Sequence, residues 1–198
     1  MTVSAFHLTT PRLTLRAVQQ SDKTFFFALY SDWRVAQNLV RTPAPFTDEH
    51  AQMFIDDAVN GLRQLHTFTL VIEATETQQA VGVITLRIPS LDPNYPNEWR
   101  NEDQGLGILG YSILPSCWGS RYASESAQRI VDFAFDDLHL ARIQASPLKT
   151  NTASCRLLEH LGFVIIETDI YEEPLHGGPP QPADRYLLER AQYYLTSE

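Results

Sequence analysis

The chain has 198 residues, 43% of them hydrophobic and 20% charged, and its formal net charge is −9. These values suit one globular domain of α/β size and argue against a general surface for nucleic acid or anionic membrane. The two cysteines, Cys117 and Cys155, indicate neither a disulfide framework nor a zinc cluster. There is no signal-like N-terminus and no apolar run of the ~20 residues that span a bilayer. We therefore expect a cytoplasmic monomer or homodimer.

The apolar pattern predicts strands and helices in alternation. Residues 12–18 alternate polar and apolar side chains, which is typical of a half-buried strand with Leu13, Leu15 and Ala17 on its inner face. An apolar stripe that includes Trp33 predicts one helix over 24–39. The later predicted elements are a helix that begins after Thr47, hairpin strands over 67–74 and 80–88, a strand over 106–114, a helix over 123–138, a strand over 141–146, a helix over 152–161, and strands over 163–168 and 185–190.

The connections between these elements predict the sheet. The strand–helix–strand unit over 106–146 implies two parallel neighbours joined by a right-handed crossover, whereas the other strands fit antiparallel pairing. Two polar segments, 89–105 and 172–184, are rich in proline, and long loops in compact domains are often functional. We predict one α/β domain over 1–198, built on a mixed sheet, with a core of about 9–190.

The stretch WGSRYASES, residues 118–126, stands where a strand gives way to a helix. The first N–H groups of a helix have no partner within it, and with the helix dipole they favour an anion. Gly119 and Ala123 would let a ligand approach the backbone, while Ser120 and Arg121 suit a diphosphate. A Ser-capped turn without a ligand is the alternative interpretation of the same residues.

Other kinds of catalytic site are not indicated. The chain has no P-loop, dinucleotide-binding, H-E-x-x-H or G-x-S-x-G motif. Its six histidines are scattered along the sequence, which does not favour a metal site. We expect no metal.

Three segments resemble signatures of the Gcn5-related N-acetyltransferase (GNAT) superfamily, and within it the RimJ/RimL type of ribosomal-protein N-terminal acetyltransferases. They are TTPRLTLRAVQQSD (9–22), GYSILPSCWGSRYASES (110–126) and NTASCRLLEHLGF (151–163). Their order and spacing agree with the predicted strands and helices. The resemblance implies the GNAT acyl-CoA N-acyltransferase fold, with splayed central parallel strands and about four helices.

The resemblance also implies a site for acetyl-CoA, as co-substrate, between the strands over 106–114 and 141–146. Backbone groups of Ile113 and Leu114 would pair with the pantetheine arm. A loop would hold the pyrophosphate on its N–H groups, and that loop consists of Trp118, Gly119, Ser120, Arg121, Tyr122 and Ala123.

The resemblance also implies roles at the cofactor for two residues of the third signature. Asn151 would hydrogen-bond the cofactor arm, and Ser154 would lie near the sulfur and protonate the departing thiolate. Judged without the resemblance, both residues are better explained as caps of the helix over 152–161.

The sequence departs from the superfamily pattern at Arg121, where a glycine is usual. If that position has a positive φ, an arginine there is strained and cofactor binding is weak. Alternatively, its guanidinium pairs with phosphate and binding is retained.

A second departure concerns the general base. Many members carry a glutamate on the central strand, whereas the candidate positions here are Gly107, Ile108 and Leu109. The acidic residues nearest in sequence lie in the preceding loop, and they are Glu98, Glu102 and Asp103. A solvated acidic loop is their alternative explanation.

We therefore predict an enzyme, an N-acetyltransferase that moves an acetyl group from acetyl-CoA directly to a primary amine, on a peptide or protein N-terminus or a small molecule. The acidic, aromatic loop 92–104 and the segment 172–184 would line the acceptor mouth, and their negative character favours a cationic amine. Tyr111 is a further acceptor candidate, although its place in the strand alternation also suits a core aromatic. A degenerate member that binds CoA or another ligand without catalysis is the alternative function.

Overall fold

Eight strands form one mixed sheet in the computed structural model, which describes residues 5–95 and 105–196. The strands are β1 (His7–Thr9), β2 (Leu13–Ala17), β3 (Thr67–Ala74), β4 (Gln79–Arg87), β5 (Leu106–Ile113), β6 (Arg142–Ala145), β7 (Val164–Glu172) and β8 (Gln181–Glu189). Their order across the sheet is β1-β2-β3-β4-β5-β6-β8-β7.

Six helices lie within the described residues. They are α1 (Lys23–Ser31), α2 (Trp33–Ala36), α3 (Asp48–Arg63), α4 (Tyr122–Asp132), α5 (Thr152–His160) and α6 (Arg190–Thr196). Within residues 5–95 and 105–196, no helix combines the length and the apolar composition that crossing a membrane requires.

The sheet opens between β5 and β6, its one parallel pair among the described strands. The pairing covers three positions, from Leu106 with Arg142 to Ile108 with Gln144. Beyond them β5 continues to Ile113 and stays paired with β4, while β6 ends at Ala145. The predicted parallel pair and its crossover through α4 are confirmed, and the divergence leaves a gap at the C-terminal ends of both strands.

Helices cover both faces of the sheet, and this explains the long apolar run of β3. Its Leu70 and Ile72 belong to the core that also contains buried residues of α4 and the buried Leu13 of β2. Between them, Val71 belongs to the core of α1 and α3, together with Ile55. Because both faces of β3 are buried, the side chains of this run are apolar on both sides and do not alternate with polar ones.

The structure differs from the predicted elements at several ends. The helix predicted over 24–39 breaks at Asp32, which has an extended backbone and accepts a hydrogen bond from the N–H of Arg34 to cap α2. This break leaves Trp33 exposed rather than in the core. β7 and β8 extend into the two ends of the predicted loop 172–184, so that residues 173–180 connect the two strands of a hairpin. Neither β1 nor α6 was predicted.

Candidate active site

A cleft of about 1300 Å³ opens where β5 leaves β6. Its walls come from the C-terminal half of β5, the loop before α4 with the first turn of that helix, and one face of α5 with the two residues before it. A further wall is formed by α2 and the residues that follow it, from Trp33 to Leu39. The cleft therefore joins the gap in the sheet to the two short helices at its edge.

The start of α4 offers unpaired backbone donors to this cleft. The N–H of Glu125 is the first to reach a helical acceptor, the carbonyl of Arg121, at 3.0 Å. The amides of Tyr122, Ala123 and Ser124 therefore have no partner within the helix. The side chain of Arg121 provides no cap either. With the helix dipole, these amides can hold an anion.

Two residues of the loop before α4 have a positive φ. Gly119 has a φ of 81°, and a Cβ there would meet no atom within 4 Å, so backbone conformation rather than crowding favours glycine. Arg121 has φ 63° and ψ 16°. This left-handed conformation costs a residue with a Cβ about 1 kcal/mol. Arg121 therefore has the positive φ at which an arginine is strained, and it still lines the cleft.

Basic side chains surround the unpaired amides. Arg121, Arg156 and His160 all line the cleft, and within the described part of the chain none of them has an acidic partner. Nor does any Asp or Glu of residues 5–95 and 105–196 line this cleft. A locally basic cleft in a chain of net charge −9 suits a polyanionic ligand.

Glu125 joins the first two family-like segments. Its carboxylate accepts hydrogen bonds from the hydroxyl of Thr10, the backbone N–H of Arg12 at 3.0 Å and Nε of Arg12 at 2.7 Å. Burial raises the pKa of Glu125, but the hydrogen bonds from Thr10 and Arg12 outweigh it and hold this pKa below its ordinary value. The conformation of the first turn of α4 is thus tied to the N-terminal segment.

The backbone of β5 divides its groups between β4 and the gap. Leu114 donates its N–H to Val81 at 2.9 Å and accepts from the N–H of Cys117 at 2.8 Å. Because successive residues of a strand point their polar groups to opposite sides, the N–H of Ile113 faces the gap. The carbonyl of Ile113 already accepts the indole N–H of Trp118 at 2.9 Å. Of the two predicted partners of the pantetheine arm, Ile113 has the better-placed backbone.

Three residues meet across the gap at the start of α5. Asn151 caps this helix, with Oδ1 accepting the N–H of Ser154 at 3.2 Å. Oγ of Ser154 lies 2.8 Å from the hydroxyl of Tyr111 on β5. Burial raises the pKa of Tyr111 to about 12, although the hydrogen bond with Ser154 lowers it. Asn151 therefore both caps α5 and lines the cleft.

The segment 172–184 reaches the wall formed by α2. Leu175 donates its N–H to the carbonyl of Val40 at 2.8 Å. The imidazole of His176 packs edge-on against the indole of Trp33, with ring centroids 5.1 Å apart. Gln181, at the start of β8, lines the cleft.

The cleft brings together most of the residues singled out in the sequence. The predicted residues that line it are Tyr111, Ile113, Trp118, Gly119, Arg121, Tyr122, Ala123, Asn151 and Ser154. Leu114 and Ser120 are absent from its lining, and Glu98, Glu102 and Asp103 lie outside the described residues. Arg156 and His160 were not predicted from the sequence, although their i, i+4 spacing on a predicted helix could have placed them on one face.

Comparison with known proteins agrees with this architecture. Residues 12–164 match the family model described as an acetyltransferase (GNAT) domain. An uncharacterized N-acetyltransferase, p20, of Bacillus licheniformis is 31% identical over 79% of this chain and 81% of its own length.

Two solved structures share the fold. A spermidine N-acetyltransferase from Vibrio cholerae, in complex with CoA and spermine, superimposes with a TM-score of 0.74, at 20% identity, over 93% of this chain and 99% of the other. A ribosomal-protein-S5-alanine acetyltransferase from Vibrio fischeri gives a TM-score of 0.74, at 16% identity, over 95% and 98%.

The match to the family model identifies an acetyltransferase, an enzyme of the class that transfers acyl groups, and the splayed sheet and basic cleft agree with it. The chain belongs to the GNAT family, whose members use acetyl-CoA. It is an N-acetyltransferase.

Proposed function

We propose that the protein transfers an acetyl group from acetyl-CoA directly to the nitrogen of a primary amine. The observation that carries this proposal is a convergence in one cleft. It contains the unpaired amides of α4, three basic side chains that have no acidic partner within residues 5–95 and 105–196, and the hydroxyl of Ser154. Amides and cations suit the phosphates of the donor, and the hydroxyl lies at the other end of the gap, where β5 faces α5.

The phosphates of the donor would bind at the loop before α4. In this proposal the amides of Gly119, Tyr122 and Ala123 contact the pyrophosphate. The N–H groups of Trp118 and Ser120 donate to carbonyls within the loop, at 3.3 and 3.4 Å, so these two residues shape the loop. The guanidinium of Arg121 adds a charge-assisted contact to it, in place of the glycine that is usual there.

The arm of the donor would lie along β5 like an added strand. The gap-facing N–H of Ile113 is the favoured backbone partner, since the N–H and the carbonyl of Leu114 are both hydrogen-bonded elsewhere. Oδ1 of Asn151 is used as a cap, so its amide N–H groups are the atoms offered to the arm.

The reaction forms a carbon–nitrogen bond and breaks the carbon–sulfur bond of the thioester. The amine must be neutral to attack, which is easier for an α-amino group of pKa about 7.7–8 than for a lysine-like amine of about 10.4. By strand alternation, Tyr111 also presents its N–H to the gap, where it can polarise the thioester carbonyl. Ser154 donates a hydrogen bond to the departing sulfur.

For the acceptor we propose a primary amine of a peptide N-terminus or of a small molecule. The wall that carries Trp33 and the segment 172–184 would receive it, with Glu98, Glu102 and Asp103 as candidates for a base or for attraction of a cationic amine. The RimJ/RimL-type resemblance favours a peptide N-terminus.

For the location we propose the cytoplasm, since Cys117 and Cys155 are both free and disulfides are rare in cytosolic proteins.

The alternative function is a degenerate member that binds CoA or another ligand without transfer. The left-handed conformation of Arg121 and the apolar stretch from Gly107 to Leu109 favour it. Isothermal titration with acetyl-CoA, followed by thiol release with a panel of peptides, polyamines and amino acids, separates the two. Micromolar binding with amine-dependent release of CoA supports the enzyme. Binding without release supports the alternative. No binding contradicts the enzyme and supports the form of the alternative that binds another ligand.

A further inference from the structure

Two hydroxyl groups meet across the gap between β5 and α5. The hydroxyl of Tyr111 lies 2.8 Å from Oγ of Ser154 and 3.5 Å from its carbonyl oxygen. The backbone N–H of Ser154 is held by Asn151. Both its backbone and its side chain are thus fixed, and the serine has a single hydroxyl proton to give to one acceptor.

The direction of this hydrogen bond decides where the serine proton points. A phenol, with an ordinary pKa of about 10, is a better donor than an aliphatic hydroxyl. The carbonyl of Ser154 is a poor competitor for the Tyr111 proton, because 3.5 Å is at the limit of hydrogen-bond length. When Tyr111 donates to Oγ, the hydroxyl proton of Ser154 remains available for a different acceptor. Because Ser154 lines the cleft, that acceptor can be a ligand atom in the cleft.

We propose that Tyr111 is a positioning residue, which donates its hydroxyl proton to Oγ of Ser154 and thereby directs the Ser154 hydroxyl toward the sulfur that leaves the thioester. This inference rests on the proposed function, because it places the thioester of acetyl-CoA in the cleft. It assigns Tyr111 to the donor side of the reaction rather than to the acceptor.

The step balances without a change in the protonation of either hydroxyl. As the nitrogen–carbon bond forms, the carbon–sulfur bond breaks and its electron pair leaves with sulfur. The nitrogen loses one proton and the thiolate finally gains one, so the number of protons does not change. A thiolate whose conjugate acid has a pKa of about 8.5 is too weak a base to take the serine proton outright. Ser154 therefore stabilises the developing charge by a hydrogen bond, helped by the N-terminus of α5.

The environment of Tyr111 keeps this arrangement intact over the working range. Burial raises the pKa of its phenol to about 12, against a lowering by the hydrogen bond with Ser154, and the nearby thiol of Cys155 adds to the rise. The phenol is therefore still protonated at pH values where primary amines become neutral, so Tyr111 keeps its proton for donation to Oγ.

A double-mutant cycle tests the inference. The variants are Tyr111→Phe, Ser154→Ala and the double variant, and kcat and KM for acetyl-CoA are measured by thiol release with the best amine of the panel. Each single change should lower kcat about 10-fold, the value of one hydrogen bond of roughly 1.4 kcal/mol, with KM within about 2-fold. The double variant should be no slower than Ser154→Ala. In a Ser154→Thr background, which keeps the hydroxyl, Tyr111→Phe should again slow the reaction.

Tyr30 provides the matched control, since it is a second buried tyrosine and does not line the cleft. Tyr30→Phe should combine with Ser154→Ala as independent factors. If Tyr111→Phe also multiplies with Ser154→Ala, or raises KM instead of lowering kcat, the positioning role is wrong while the proposed function stands. CoA affinity of each variant checks that the cleft is folded. No thiol release by the unaltered protein with any amine overturns the proposed function and this inference with it.

Discussion

Arg121 combines two opposed effects in one residue. Its left-handed backbone, with φ 63°, costs about 1 kcal/mol relative to a residue without a Cβ. Its side chain lies in the cleft with the unpaired amides of α4. Backbone strain lowers the stability of the folded protein, whereas the side chain affects the affinity for a ligand. A single substitution at Arg121 can therefore change the two properties in opposite directions.

We predict that Arg121→Gly raises the stability of the unliganded protein and weakens CoA binding. The gain should be up to about 1 kcal/mol, because strain is relieved and the added flexibility of glycine offsets part of it. Affinity should fall several-fold, and it should depend less on salt concentration, because one cation–phosphate contact is lost. Melting temperature and titration calorimetry at two salt concentrations measure both effects.

Gln78 is the matched control for this change. It has a φ of 54° in the exposed turn between β3 and β4, so Gln78→Gly should give a similar gain in stability with unchanged CoA affinity. Equal CoA affinity for Arg121→Gly and the unaltered protein would show that the arginine side chain makes no useful phosphate contact.

Glu125 should make stability depend on pH in the acidic range. Its pKa in the folded protein lies below the ordinary value, since the hydrogen bonds from Thr10 and Arg12 outweigh the effect of burial. A carboxyl with a lowered pKa contributes stability above its unfolded pKa of about 4.3, and this contribution is lost as pH falls through the folded pKa. Glu125→Gln should therefore cost about 1–2 kcal/mol at pH 7.

The difference between Glu125→Gln and the unaltered protein should shrink as the pH is lowered below about 4, which urea unfolding at several pH values can follow. Glu76→Gln, in the exposed turn before β4, serves as the control and should change nothing. A constant difference from pH 7 to pH 3 would contradict the role given to the carboxylate.

At the scale of the element, α5 depends on a cap that also faces the cleft. Oδ1 of Asn151 accepts the N–H of Ser154, and the side chain lines the site. Asn151→Ala should cost about 1 kcal/mol of stability and also weaken CoA binding. Asn151→Asp keeps an acceptor for the cap, so stability should be retained while the lost amide donor and the added charge weaken binding. Thermal melts and calorimetry of the two variants distinguish capping from contact with the cofactor.

Two glycines test how closely the central strands are packed. A Cβ at Gly82 on β4 would lie 2.6 Å from the carbonyl oxygen of Ser112, whereas a Cβ at Gly110 on β5 would meet nothing within 4 Å. Gly82→Ala should therefore destabilise the protein by about 1–3 kcal/mol, since backbone must move. Gly110→Ala should be neutral or slightly stabilising. Equal midpoints of urea unfolding for the two variants would contradict the tight β4–β5 pairing.

The sequence allowed the type of most elements to be predicted, but not all their ends. Alternation identified β2 because one of its faces is buried and the other is not. The break at Asp32 was missed because an aspartate inside an apolar helical stripe gives no strong stop signal, although Asp is a good N-cap. The end of β7 was missed because its residues are almost all exposed, so they show no burial period to detect.

For the molecule as a whole, occupation of the cleft should raise thermal stability. A ligand that binds the folded state alone stabilises it by about 2.7 kcal/mol at 100 times its Kd. For a domain of this size that corresponds to a rise in Tm of about 5–10 °C. Pantetheine, which lacks the nucleotide diphosphate, should give a much smaller shift at the same concentration. Equal shifts from both compounds would place the binding energy in the arm rather than at the start of α4.

The site was predictable where one segment supplies it and less so where distant segments meet. The loop before α4 is a continuous stretch, so its small residues and helix start were visible in the sequence. The contact between Tyr111 and Ser154 joins residues 43 positions apart, and strand alternation alone pointed to a core tyrosine. Arg156 and His160 became candidates only when folding brought α5 to the cleft.

The hydrogen bond from Trp118 to Ile113 has an optical consequence. The indole of Trp118 is 52% exposed and is hydrogen-bonded to the strand edge where the donor arm would lie. Its fluorescence is therefore sensitive to a ligand at that edge. An arm that competes for the same carbonyl would change the polarity around this ring. The intrinsic emission of Trp118, with Trp118→Phe as the blank, would then act as an unlabelled reporter of donor arrival on the stopped-flow timescale.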